Sequence, residues 1–356
     1  MSSARAEEAV SERPSPARIS IQNSLQAGLE YDTNVFRVFG TGDDDFLTRI
    51  LFKSDGAIRL NDETRIGWSY QGGGKKFVDR SEQDLFIQLV EFPFTYRPNA
   101  YFSFLLTPDF KYQNEDNSLD PAGVDINEDS LSTLDRVSFR FSLPRAFVIE
   151  PFGDFNYYDF RAIETYSFYR ERGGIGIKKS FGSSWSLGSD YLYSAQQFSA
   201  SPREDKENDV SAYGQYSSSL FFSLRYSYQD SNSSDEQFSF TNHRVSLLFS
   251  VPLWERDLPE SALDAGESPA LFVFHVLGTL QFKKFPSVFA FTEEGQRFLQ
   301  TGQDDENFNS LIVKLTYHPL PWLAIETKYT RYSNAISSQE ENFGRSLYYG
   351  GLRGTF

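Results

Sequence analysis

The chain has 356 residues, a formal net charge of -15 and a mean hydropathy of -0.46, yet 35 Phe and 20 Tyr help bring its aromatic content to 17%. No apolar run approaches the 18 or more residues a membrane helix needs, the absence of cysteine removes disulfides, thiolate nucleophiles and zinc-cysteine sites, and the acidic balance argues against nucleic acid. Many rings on a mean-polar chain fit a closed sheet with hydrocarbon outside and water inside, where aromatic girdles mark the membrane interfaces.

Met1 to Ala17 is polar, charged and proline-containing and lacks the cationic, apolar and small-residue parts of a secretion leader. Residues 1–18 are therefore expected to be a disordered periplasmic segment from which any leader is missing. From Ile19 onward apolar and polar residues alternate with period two, broken by Gly, Pro, Asn, Asp and Ser clusters. Predicted strands run over 19–37, 46–60, 64–78, 83–98, 100–114, 131–144, 146–161, 166–181, 184–199, 208–219, 221–231, 238–252, 270–286, 306–318, 321–334 and 345–356. Residues 19–356 thus read as one all-β domain, a transmembrane antiparallel up-and-down β-barrel of about sixteen strands.

The connections alternate in length. Tight turns are expected at 61–63, 97–99, 143–145, 182–184, 217–219 and 318–321, and longer polar segments at 41–45, 114–130, 200–209, 231–237, 286–306 and 333–344. Short periplasmic turns with long extracellular loops is the plan of outer-membrane barrels. Roughly 27 of the 49 acidic residues fall in or beside the long segments, so the outer side is expected to be anionic. One turn-side connection, Trp254 to Pro269, is long. It is either a tolerated insertion or a docking element for a periplasmic or secretion-machinery protein.

The alternation also sorts side chains by solvent. In the last strand Tyr348, Leu352 and Phe356 share one face and Arg345, Tyr349, Arg353 and Thr355 the other. Phe139 and Phe141 likewise oppose Arg140, Leu224 and Tyr226 oppose Arg225, and Val245 and Leu247 oppose Arg244. The wettable face also takes Arg49, Lys53, Arg59, Arg65, Arg170, Arg172, Lys178, Lys283, Lys314 and Lys328, with Glu30, Asp55, Asp109, Glu150, Asp154, Asp190 and Glu326 among them. A basic residue facing lipid near midplane costs about 2–4 kcal/mol, so these groups are expected to line the lumen. An inward excess of Arg and Lys favours anionic solutes, unless the charges simply pair and stiffen the wall. Tyr349 is expected to offer a stacking surface to sugar rings.

Catalysis finds little support. His243, His275 and His318 lie on different segments without an evident Ser and Asp set, and they cannot together form a metal site. The acidic runs 43–45 and 304–306 lack EF-hand spacing, and Gly72 to Gly74 sits in a strand pattern rather than a phosphate loop. No enzyme activity, cofactor or metal is expected.

The opening strand, Gly28 to Arg37 (GLEYDTNVFR), resembles the first-strand motif of the putative beta-barrel porin 2 family and of outer-membrane proteins encoded with exopolysaccharide biosynthesis genes. Tyr31, Asp32, Asn34 and Phe36 carry the likeness, and their own chemistry reads as an Asx-type turn at the strand end. Phe356 at the end of an alternating strand resembles the C-terminal sorting signal recognised by the barrel assembly machinery. The resemblance implies a conduit in a bacterial outer membrane, bounded by lipid and lipopolysaccharide, for a secreted polysaccharide. A general or anion-preferring porin, and a closed barrel serving as anchor or assembly partner, are the alternatives.

Overall fold

Each alternating segment has one apolar and one polar face, and a sheet hides that difference only by closing on itself with lipid on one side. In the computed structural model, which describes residues 18–34, 44–115, 118–119, 125–126, 129–160, 167–256, 270–284, 287–291, 297–301, 307–335 and 343–356, this closure is complete. The strands are β1 (Arg18–Asp32), β2 (Asp45–Arg59), β3 (Thr64–Phe77), β4 (Leu85–Glu91, resuming as Phe94–Tyr96), β5 (Phe102–Glu115), β6 (Ser130–Leu143), β7 (Phe147–Phe160) and β8 (Phe168–Phe181). They continue as β9 (Trp185–Phe198), β10 (Glu204–Ser217), β11 (Phe221–Ser233), β12 (Phe240–Glu255), β13 (Ala270–Lys284), β14 (Asn307–Leu320), β15 (Leu323–Ala335) and β16 (Phe343–Thr355).

Neighbours in sequence pair antiparallel, and β16 pairs back onto β1 from Ser24↔Thr355 to Asp32↔Leu347. The result is a closed sixteen-stranded antiparallel barrel. Pro93 has no N–H for the ladder and interrupts β4. Two short hairpins, Ser118–Leu119 with Asp125–Ile126 and Ser287–Phe291 with Arg297–Thr301, lie apart from the main sheet.

Both described chain ends lie at the end of the barrel with the tight turns, where Asn23 and Phe356 exchange backbone hydrogen bonds of 2.8 and 2.9 Å. Two of those turns use the same device. The Asn61 side-chain oxygen accepts from the N–H groups of Glu63 and Thr64, and that of Asn99 accepts from Tyr101 and Phe102. The β6–β7 turn places Arg145 and Ala146 in left-handed backbone, at φ 62° and 60°, where the β8–β9 turn uses Gly182.

The expected strand limits hold except at the loop end. β1 stops at Asp32 within the predicted 19–37, of which 35–37 lie outside the described residues. β10 begins at Glu204, so the acidic stretch 204–209, expected in a loop, belongs to a strand. The reason is visible in its pleat: Asp205, Glu207 and Asp209 share the inner face, while Lys206 and Asn208 occupy the outer face close to the loop end, so both faces are wet and the apolar alternation vanishes. Residues 1–17 of predicted segment 1–18, most of 254–269 and much of loops 41–45, 114–130, 286–306 and 333–344 lie outside the described residues, while Arg18 already belongs to β1.

The outer face is apolar and exposed, with Leu25, Leu29, Ile50, Ile175, Leu224 and Leu352 among its members. Exposed rings gather toward both rims of that face: Phe181, Trp185, Trp254 and Trp322 near the turns, Phe46, Tyr169, Tyr226 and Tyr348 nearer the loops. The outward charges Asp135, Glu171, Asp230 and Arg331 lie in the loop-end half, and outward Lys179 lies at the turn end against the Phe147 and Phe181 rings.

Candidate functional site

The register places Arg49, Lys53 and Arg59 of β2, Arg65 of β3, Arg140 of β6, and Arg170 and Arg172 of β8 on the inner face. Arg225 of β11, Arg244 of β12, Lys283 of β13, Lys314 of β14, Lys328 of β15, and Arg345, Tyr349 and Arg353 of β16 share it. Lys75 and Arg136 are inward too. Sequence reasoning passed over both, the first because glycines 72–74 blur the alternation, the second because outward Asp135 sits beside it.

These groups form two different walls. On the wall centred on β14–β3, buried carboxylates hold the cations. Glu30 takes Lys75 at 2.6 Å and Arg49 at 3.8 Å; Glu326 takes Lys314 at 2.8 Å, Arg353 at 3.3 Å and the Gln26 amide at 2.8 Å. Asp32 accepts both arms of Arg345 across the closing seam. Lys75 reaches Glu30 over β2 and Gln26 reaches Glu326 over β16, and Glu30 and Glu326 are each only 1% exposed.

Tyr349 belongs to this packed wall. Its ring lies on Gly28 and Gly351, where a Cβ would come within 2.5 and 2.1 Å of it, and Arg49 and Lys328 flank it at 5.9 and 5.5 Å. At 5% exposure it presents no face to a passing ring, which corrects the expectation of sugar stacking there. The first-strand motif belongs here as well. Asp32 accepts the Asn34 N–H at 3.1 Å in an Asx-type turn, Thr33 exchanges bonds with Ser346, and the Asn34 amide reaches the Gly344 carbonyl at 3.3 Å. Tyr31 points outward and bonds to Asp44. The motif therefore fastens the first strand to the last; Val35, Phe36 and Arg37 lie outside the described residues.

The wall from β6 to β11 is hollowed into a recess of about 500 Å³. Gly174, Gly176 and Gly188 face inward; the Phe152 ring lies on Gly174 and the Tyr213 ring on Gly188, and Gly176 lines the recess. Arg172 pairs with Asp154 at 2.5 Å and Arg225 with Asp190 at 2.7 Å, and the Arg136 guanidinium lies 4.5 Å from the centre of the Phe152 ring. Among the described residues Arg140 and Lys178 form no ion pair, although both line the recess.

Toward the loops the same strands carry an inward aromatic arc. Tyr158 of β7 stacks on Phe168 of β8 at 5.4 Å, Phe168 meets Phe198 of β9 at 5.9 Å, and Arg203, held by Asp205, lies over Phe198 and Phe238 at 4.4 and 3.6 Å. The histidines do not converge. His243 faces outward against the Tyr226 hydroxyl at 2.8 Å, His275 faces inward on β13, and His318 lies at the register shift ending β14.

Closure, tight turns at one end and an apolar girdled exterior define the class of fold, that of outer-membrane β-barrels. The loop L8 deletion mutant of OmpT, an outer membrane protein of Vibrio cholerae, matches over 96% of this chain and 100% of its own, with a TM-score of 0.51 at 9% identity. The anion-selective porin from Comamonas acidovorans gives 0.50 at 9% identity over 96% and 100%, and OccAB3 from Acinetobacter baumannii 0.50 at 10% identity over 95% and 99%. At such identities the likeness is one of fold. No family model matches the chain, and no curated protein matches it.

Proposed function

We propose that the protein is a channel in a bacterial outer membrane that lets small solutes diffuse through a polar lumen, with a preference for anions. The observation that carries this reading is the exposure of charged side chains inside a closed barrel: Lys53, Asp55, Arg225 and Arg353 keep 45, 43, 48 and 36% of their side-chain surface. Groups pointing into a filled interior would be covered, and a sixteen-stranded barrel is wide enough for water. The inner face carries more Arg and Lys than Asp and Glu, so its field attracts anions.

Planar-bilayer recordings of the purified chain test this directly. Discrete conductance steps and a reversal potential displaced toward the chloride equilibrium in a KCl gradient are expected; silent bilayers, or a cation-selective potential, would remove the proposal. A second reading, export of a secreted polysaccharide, is favoured by the first-strand resemblance and by the inward aromatic arc. It predicts that polysaccharide added to one side closes the current reversibly.

A further inference from the structure

We propose that the recess between β6 and β11 is a binding site for small organic monocarboxylates with a ring or other apolar body, an inference that rests on the channel reading and names its preferred solute. Five basic and four acidic side chains line the recess, one positive charge in excess, which suits a monoanion better than phosphate or a polyanion. Two of the cations, Arg140 and Lys178, have no carboxylate of the protein in ion-pair contact and stand ready for one from a ligand.

Val148, Phe152 and Leu192 line the same recess and give a chloride ion nothing to touch, whereas an organic body covers them. Gly176 lines the recess without a side chain, and the Phe152 and Tyr213 rings, laid on Gly174 and Gly188, form part of its lining. Above it, Phe168 stands four residues from Arg172 on β8, roughly 13 Å of strand. An entering ring therefore meets the aromatic arc first and the basic recess second, along one wall.

The test is equilibrium dialysis of labelled benzoate against the detergent-solubilised full chain, with acetate and inorganic phosphate as competitors. Saturable binding is expected, with benzoate preferred over both competitors by about tenfold, and the R140Q/K178Q variant is expected to weaken it by about tenfold. The charge-conserving R140K/K178R variant should retain binding to within about threefold, which separates lost charge from lost fold. Absence of saturable binding, equal competition by acetate, or unchanged affinity in R140Q/K178Q would overturn the site. Conductance in bilayers reads the channel independently: a conducting protein that ignores benzoate fails only this inference, and one that binds benzoate without conducting fails only the channel.

Discussion

The two walls of the interior carry similar residue types and use them differently. On the β14–β3 wall the buried carboxylates Glu30 and Glu326 are each shared by cations from other strands, so that part of its charge is internal mortar, while Lys53, Asp55 and Arg353 of the same wall stay partly exposed. On the β6–β11 wall pairs such as Arg225 with Asp190 stay partly exposed, and two cations remain without ion pairs. The same amino acids stiffen the sheet where they are buried and stay available for solute where they are exposed, and what separates the outcomes is burial.

The contrast is broken most severely by removing a shared carboxylate. Glu326→Ala leaves Lys314 and Arg353 facing each other in the packed wall, and a loss of about 3–5 kcal/mol is expected in urea unfolding followed by heat-modifiable migration. Asp190→Ala, across the barrel, should cost under about 1 kcal/mol because water replaces the carboxylate beside a half-exposed Arg225. Equal losses in the two variants would erase the distinction between the walls.

Arg345→Ala tests the seam. It unpairs a fully buried Asp32, and about 2–4 kcal/mol should be lost, with faster detergent-induced unfolding as the kinetic sign that the first and last strands part early. A smaller effect is expected from Ala146→Gly, which relieves a left-handed residue in the β6–β7 turn. It should gain up to about 1 kcal/mol while leaving reversal potential unchanged, since it touches neither wall. The smallest is electrical. R140E/K178E should lower the anion-to-cation permeability ratio by about threefold, roughly 0.6 kcal/mol, with stability little altered. No change in that ratio would mean that the recess does not set selectivity.

Much of this was legible beforehand for a simple reason. A strand with lipid on one side and water on the other must alternate, so the strand order and the closed sheet could be read from period-two spacing. Legibility failed where that contrast disappears. At 204–209 both faces are wet and a strand looks like a loop; at Tyr349 the spacing gave the right face but not the packing that hides the ring. The recess was invisible because Gly174 and Gly176 look like ordinary strand glycines, and only the folded sheet shows the Phe152 ring on the first and open lining at the second.

The linear pattern by itself determined which side chains meet water and which meet hydrocarbon, because that choice is local to each strand and repeats every second residue. Only the tertiary structure decided which charges neutralise one another. Gln26 and Glu326 touch across 300 residues because the sheet closes, and no spacing in the chain encodes that meeting. Closure assigns Glu326 to Lys314 and Arg353 and leaves Arg140 and Lys178 without such a carboxylate, and that assignment makes one wall a frame and the other a site.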